Sequence, residues 1–212
     1  MRPSRPEDVS AQNQLAEDKQ QRLKKKHETQ EGKYRKKKGE DFGWYLSQPP
    51  PELIKLLESG EVSTGPAVDV GCGPGVAISH LAAQAFRPAV GLDIAFAAVC
   101  QARELARENK TPPVFVVAAA PFLPLQGEFF TFIFDRGCMH ALPEADWSLY
   151  LQEIERLLKT GGVFQLLAKR PSPAVLEQIL PASLQTRTLE EFPFHLKDGR
   201  VKVLTHGIFR KR

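Results

Sequence analysis

The stretch Ala67-Val68-Asp69-Val70-Gly71-Cys72-Gly73-Pro74-Gly75 constrains this chain more than any other. An apolar run that takes in one acid and then breaks into Gly-x-Gly-x-Gly predicts a buried parallel strand, a tight turn and a helix beginning near Val76. Glycine at positions 71, 73 and 75 permits positive φ and lets the backbone approach a ligand whose space a side chain would fill. The spacing differs from the Gly-x-Gly-x-x-Gly dinucleotide fingerprint. Taken alone, it fits either an ordinary strand-turn-helix junction or the edge of a nucleotide-like ligand site.

A second signal lies about twenty residues on. Pro88-Ala89-Val90-Gly91-Leu92-Asp93 is another short apolar strand ending in a carboxylate, placed to accept hydrogen bonds from the hydroxyls of a ribose. Strands and helices then alternate. Val76 to Ala85 and Phe96 to Asn109 read as helices, Pro112-Pro113 ends the second, and Val114-Phe115-Val116-Val117 and Phe129 to Phe134 are apolar strands. Asp146 to Leu158 is a further helix, stopped by Thr160-Gly161-Gly162 before the strand Val163 to Leu167. The order predicts βαβ units, a parallel sheet and right-handed crossovers. Ala174 to Leu180 reads as a short helix, with strands at Gln185 to Leu189 and Val201 to Phe209.

These motifs together resemble the class I S-adenosylmethionine-dependent methyltransferases, whose first motif reads roughly Asp-x-Gly-x-Gly-x-Gly and whose second strand ends in an acid. The resemblance implies an α/β fold: a Rossmann-like, seven-stranded, mostly parallel sheet with helices on both faces and a final antiparallel pair. It implies that Asp69, Gly71, Cys72, Gly73 and Gly75 border the cofactor S-adenosyl-L-methionine, with Asp93 on the ribose and Ile94 beside it. Val117 to Leu125 is similar to the family's third motif, but Ala119 stands where an Asp commonly receives the adenine. Backbone groups of Ala119 and Ala120, with apolar contacts such as Phe122, would have to hold the base. Phe134-Asp135-Arg136-Gly137 followed by Ala141-Leu142-Pro143 resembles the thiopurine and thiol methyltransferase group and bacterial relatives that methylate tellurite, halide or small thiols. The Asn/Asp-Pro-Pro-Tyr/Phe motif of amino-methylating nucleic-acid enzymes is not at this position.

In an open parallel sheet ligands sit beyond the carboxyl ends of the strands, so the loop Asp135 to Pro143 should face the transferable methyl. Asp135 and Arg136 are candidate cofactor contacts; Arg136 is read either as an anion binder or as an ion-pair partner of Asp135. His140 is the candidate base, or else a surface or capping histidine. Cys138 and Met139 are candidate substrate contacts, with packing as the alternative for Cys138. Upstream, Asp41-Phe42-Gly43-Trp44-Tyr45-Leu46 reads as a segment packed on the domain or as a lid that presents Trp44 or Tyr45 to the sulfonium.

Composition sets the remaining limits. With 42% hydrophobic residues in 212, the chain has enough for one cored domain. Residues 1–40 hold 12 of the 29 Lys and Arg but only 7 of the 25 Asp and Glu, so the N-terminal segment carries the excess positive charge. Residues 1–39 are therefore expected to be a basic polar arm, helical or disordered and solvated, ahead of a methyltransferase domain at 40–212. Its lysines suggest a polyanion contact or no dedicated partner, and Tyr34 is the one aromatic among them. Cys72, Cys100 and Cys138 show no metal-binding or disulfide spacing. No membrane span or leader is evident, and a cytoplasmic protein is expected. The leading expectation is methyl transfer to a small thiol. RNA or protein methylation through the arm, or a silent cofactor-binding module, stand as alternatives.

Overall fold

The computed structural model describes residues 6–196 and 199–212, with side chains described from residue 17 onward except at 19. Near-continuous apolar runs form the central strands because both sheet faces are covered. Strands β1 (Ala67–Val70) and β2 (Ala89–Asp93) are buried at every position, and β4 (Phe130–Arg136) at all but its last. With β3 (Val114–Val117), β5 (Leu158–Ala168), β6 (Leu184–His195) and β7 (Val201–Lys211) they make one sheet in the order β3-β2-β1-β4-β5-β7-β6. The first five are parallel, and β7 runs antiparallel to both β5 and β6. The strand order reverses between β1 and β4, which opens a crevice beyond their carboxyl ends.

The helices are α1 (Pro6–Lys36), α2 (Pro51–Glu58), α3 (Val76–Ala83), α4 (Phe96–Leu105), α5 (Trp147–Leu157) and α6 (Pro173–Ile179). Alternation along the strands divides the core in two. Ala67, Phe132 and Phe134 face Leu53, Ile78, Leu81 and Val99 of α2 to α4, while Val68, Val70 and Ile133 face Tyr150, Leu151, Ile154 and Leu176 of α5 and α6. Helix α5 ends one residue earlier than the glycine pair suggests. Leu158 is already extended and pairs with Phe130, and Lys159 to Gly162 bulge out before Val163 pairs with Phe132. No helix among the described residues is long and apolar enough to cross a membrane.

The N-terminal segment is where structure and expectation part. Met1–Arg5 lie outside the described residues. From Pro6 the segment is one helix, and its last three turns are packed on the domain rather than solvated. Leu23, Lys26, His27, Gln30, Glu31, Gly32 and Tyr34 are the covered positions, and all but Gly32 make a helical stripe at spacings of three and four. That stripe is mostly polar, so hydrophobic periodicity does not reveal it. Tyr34 packs with Ala95 and Ala98 of α4, and Glu31 accepts the Ala97 N–H at 3.0 Å. Ala95, at the N-cap of α4, offers that helix no side-chain cap, so Glu31 supplies one from another element. Gln101 completes the clasp: its amide donates to the carbonyls of Tyr34 and Lys37 and accepts the Gly39 N–H, each at 2.9 Å.

Candidate active site

A cavity of about 550 Å³ lies across the carboxyl ends of the strands. Val70 and Gly71 after β1, Leu92, Asp93 and Ile94 at β2, and Ala118, Ala120 and Leu123 after β3 form one end. Arg136, Gly137, Cys138 and His140 after β4, Leu167 and Lys169 at β5, and Phe194, Leu196, Lys202 and Leu204 of the β6–β7 hairpin form the other. Lys26, Gln30, Lys33, Tyr34 and Trp44 from the N-terminal segment complete the wall. Trp44 and Cys138 both line this cavity.

The glycine loop is held from behind. Gly71 and Cys72 donate N–H bonds to the Leu92 carbonyl at 2.7 and 2.8 Å, and Gly75 N–H returns to the Cys72 carbonyl. All three glycines have positive φ as expected, but the crowding around them is internal. A Cβ on Gly71 would sit 2.8 Å from Cys138 Cβ, one on Gly73 2.8 Å from Tyr34 Oη, and one on Gly75 2.9 Å from both Ala102 and Phe115. Gly71 lines the cavity, whereas Gly73 and Gly75 do not; they admit the docked N-terminal segment and the α4–β3 packing.

Asp93 is 8% exposed, and its two oxygens accept N–H bonds from Gly73 (3.0 Å) and Ala95 (2.9 Å). Burial pushes its pKa up, against those two bonds. A carboxylate has about four acceptor positions, so it retains capacity for hydroxyls in the cavity. Asp69 and Cys72 lie instead on a small cavity of about 50 Å³ behind the loop, where Tyr45 is also found. Burial, reinforced by Asp135 and Asp93, raises Asp69 to about 8. Ala119 is off the main wall, its neighbours Ala118 and Ala120 being on it; Phe122 is 54% exposed, and Leu123 supplies the apolar contact in its place.

The loop after β4 is organised by Asp135, which is wholly buried and is not on the cavity wall where a cofactor contact was expected. It accepts Tyr150 O–H (2.6 Å) and the N–H groups of Cys138 (2.6 Å) and Met139 (2.9 Å). Desolvation raises its pKa to about 6 despite these bonds. Arg136 does not pair with it. The guanidinium runs the other way, donating to the Trp44 carbonyl at 2.9 Å and stacking over Phe194 at 5.1 Å. Met139, expected to meet substrate, is fully buried in the core. Cys138 does reach the cavity, but burial drives its thiol pKa well up, which keeps it protonated and unreactive.

His140 reaches the cavity too, in a form poorly suited to general base catalysis. Its Nδ1 accepts the Lys169 N–H at 3.3 Å, which assigns the ring proton to Nε2. Burial first, then Lys169, Arg170, Lys202 and Lys26, lowers its pKa to about 4. At neutral pH the ring is an uncharged donor, and Nε2 offers no lone pair for a substrate proton. Trp44, 41% exposed, stacks on Phe42 at 5.0 Å and meets Tyr34 edge-on at 6.5 Å, placing aromatic faces at the cavity. Sequence reasoning missed the contributions of α1, Lys169 and the hairpin. Lys169 had a findable signal, since it follows the carboxyl end of a parallel strand.

Residues 67–162 match the family model of a methyltransferase domain. The chain is 36% identical over 126 residues to a 2-heptyl-1-hydroxyquinolin-4(1H)-one methyltransferase of Mycobacteroides abscessus, covering 58% of this chain and 54% of that protein. It is 32% identical over 120 residues to a probable thiol methyltransferase 2 of Arabidopsis thaliana, covering 56% and 53%. The chain therefore spans about half the length of these curated relatives. Among solved structures, one from work on the conversion of a disulfide bond into a thioacetal group during echinomycin biosynthesis superposes with a TM-score of 0.73. That match has 22% identity and covers 87% of this chain and 91% of the other. Residues 67–162 are thus similar in sequence to a methyltransferase domain, and the seven-stranded, mostly parallel sheet has the class I methyltransferase fold.

Proposed function

We propose that this protein transfers a methyl group from S-adenosylmethionine to a small soft nucleophile, a thiol above all. The observation that carries the choice of acceptor is that the residue expected as base, His140, is unsuited to the role, and neither Cys138 nor Asp93 on the described cavity wall takes its place. His140 has its pKa lowered to about 4 with Nδ1 engaged, Cys138 is held protonated, and Asp93 lies at the β2 end, where its remaining acceptor capacity suits the cofactor's ribose. A thiol needs no such base, because at neutral pH a fraction is already thiolate and strongly nucleophilic. A hydroxyl or amine of ordinary pKa would need one. The names of the two relatives, one a hydroxyquinolinone methyltransferase and the other a probable thiol methyltransferase, both denote small-molecule acceptors.

The wall residues suit the cofactor. Asp93 would take the ribose hydroxyls, Ala118, Ala120 and Leu123 would flank the base, and the Tyr34 and Trp44 rings would favour the sulfonium charge. When bound, S-adenosylmethionine supplies an electrophilic methyl that the acceptor's electron pair displaces in line. The protein's own part is alignment and exclusion of water, through the N-terminal segment and the hairpin that close over the strand ends. Docking of RNA through the basic arm has less support. Tyr34 is 8% exposed and unavailable for base stacking, and Lys26 and Lys33 face the cavity.

The test is to incubate the protein with S-adenosylmethionine and a thiol panel and to measure S-adenosylhomocysteine by mass spectrometry. A no-acceptor reaction and the Asp93→Ala variant are the controls. Thiol-dependent product absent from the variant is expected; product no higher than the no-acceptor reaction would refute the thiol reading.

A further inference from the structure

The cavity is electrically one-sided. Among the described wall residues Asp93 is the one acid, and it lies at the β2 end with both oxygens on backbone N–H groups. At the β4–β5–β7 end the charged side chains are Arg136, Lys169, Arg200 and Lys202, all cations. Lys169 and Lys202 converge at His140, whose ring feels both together with Arg170 and Lys26. Lys169 is itself held below its usual pKa by burial and by the neighbouring Lys202 ammonium. Among the described residues no carboxylate lies within ion-pair distance of Arg136, Lys169 or Lys202. Like charges gathered in a partly desolvated cleft repel one another, and a ligand of opposite charge relieves that repulsion.

Arg136 is also held in place on the cavity wall. Phe194 stacks on its guanidinium, and the Trp44 carbonyl takes one N–H, leaving further donors of its planar fork for a ligand. We infer that the acceptor carries a fixed oxyanion, a carboxylate, sulfonate or phosphate, on the same small molecule as its nucleophile, seated against Arg136, Lys169 and Lys202. This rests on the methyl-transfer reading above and narrows its substrate class to acidic acceptors. The same field favours the acceptor's thiolate over its thiol, since nearby cations stabilise the ionised form.

Three thiols of equal length separate charge from shape: 3-mercaptopropionate, 3-mercapto-1-propanol and 3-aminopropanethiol. The acid is expected to exceed the alcohol in kcat/KM by about tenfold, with the amine lowest, and the ratio should shrink in about 0.5 M salt as the charges are screened. Joint Lys169→Gln and Lys202→Gln substitution should bring the acid-to-alcohol ratio to within about twofold, while Lys110→Gln, at an exposed position between α4 and β3 that is off the cavity wall, leaves that ratio in place. A second arm needs no turnover. Calorimetry on protein saturated with S-adenosylhomocysteine compares 3-(methylthio)propionate with 3-(methylthio)propan-1-ol, and the anion should bind about tenfold more tightly. Equal affinities, or no anion binding, would overturn the inference. Preferred anion binding without turnover of any thiol would leave it standing and count instead against thiol methylation.

Discussion

Gly73→Ala tests whether the N-terminal helix is an integral wall of the site. Gly73 has φ +51°, and a Cβ there would lie 2.8 Å from Tyr34 Oη, with the Trp44 ring next at 3.6 Å. The left-handed conformation costs a residue with a Cβ about 1–2 kcal/mol, of which the reduced freedom of the unfolded alanine chain returns about 0.5 kcal/mol. The contact adds to this. Tyr34 is 8% exposed and wedged between Phe42 at 5.1 Å and Trp44 at 6.5 Å, so its ring cannot swing clear. Overpacking of this sort costs about 1–3 kcal/mol, for a total of about 3 kcal/mol. In a Tyr34→Phe background the hydroxyl is gone and the nearest atom is at ordinary contact distance. There Gly73→Ala should cost only about 1 kcal/mol, a coupling of about 2 kcal/mol. Urea unfolding of the four proteins measures it. Costs that agree within about 0.5 kcal/mol in the two backgrounds would refute the docked position of α1 over the glycine loop.

Two further outcomes follow from the buried polar groups. Asp69 has a folded pKa raised from 3.8 to about 8, so its contribution to stability is fully present below about pH 4 and is lost as pH rises through about 8. Asp69→Asn should remove that loss, becoming more stable than the parent by up to about 5 kcal/mol at pH 9, and thermal melts in which the parent gains on the variant from pH 5 to 9 would exclude the argument. Gln101→Ala removes three hydrogen bonds to Tyr34, Lys37 and Gly39. It should raise amide exchange across residues 27–42 by about tenfold or more while leaving β1 and β4 protected, whereas uniform exchange across both regions would mean that the clasp is not local.

Much of the fold was legible in the sequence because each central strand is a short apolar run and each break is marked by glycine, proline or an acid. Those local signals located all seven strands and the helices between them, and the parallel order followed from their alternation. The site was legible where position along a strand decides it: Gly71, Asp93, Ile94, Ala120, Arg136, Cys138 and His140 all reach the cavity because ligands gather at strand ends. Residue type alone misled at Asp135 and Met139, which lie in the same loop but turn into the core against Tyr150 and the α5 face. Nothing local distinguishes an acid that meets a ligand from one that caps a loop. The same holds for Asp69, whose pKa is set by burial and by carboxylates on other strands.

The sequence by itself determined the sheet, the glycine loop and the acid twenty residues beyond it, since these rest on patterns within a few residues of one another. Only the tertiary structure decided what closes the cavity. A polar helix docks because Glu31 finds the Ala97 N–H of α4 and Gln101 of α4 finds the Tyr34 and Lys37 carbonyls, and the β6–β7 hairpin brings Phe194 and Lys202 to Arg136 and Lys169. Those contacts join residues more than 30 positions apart through hydrogen bonds and charge, which leave no hydrophobic period along the chain to be read.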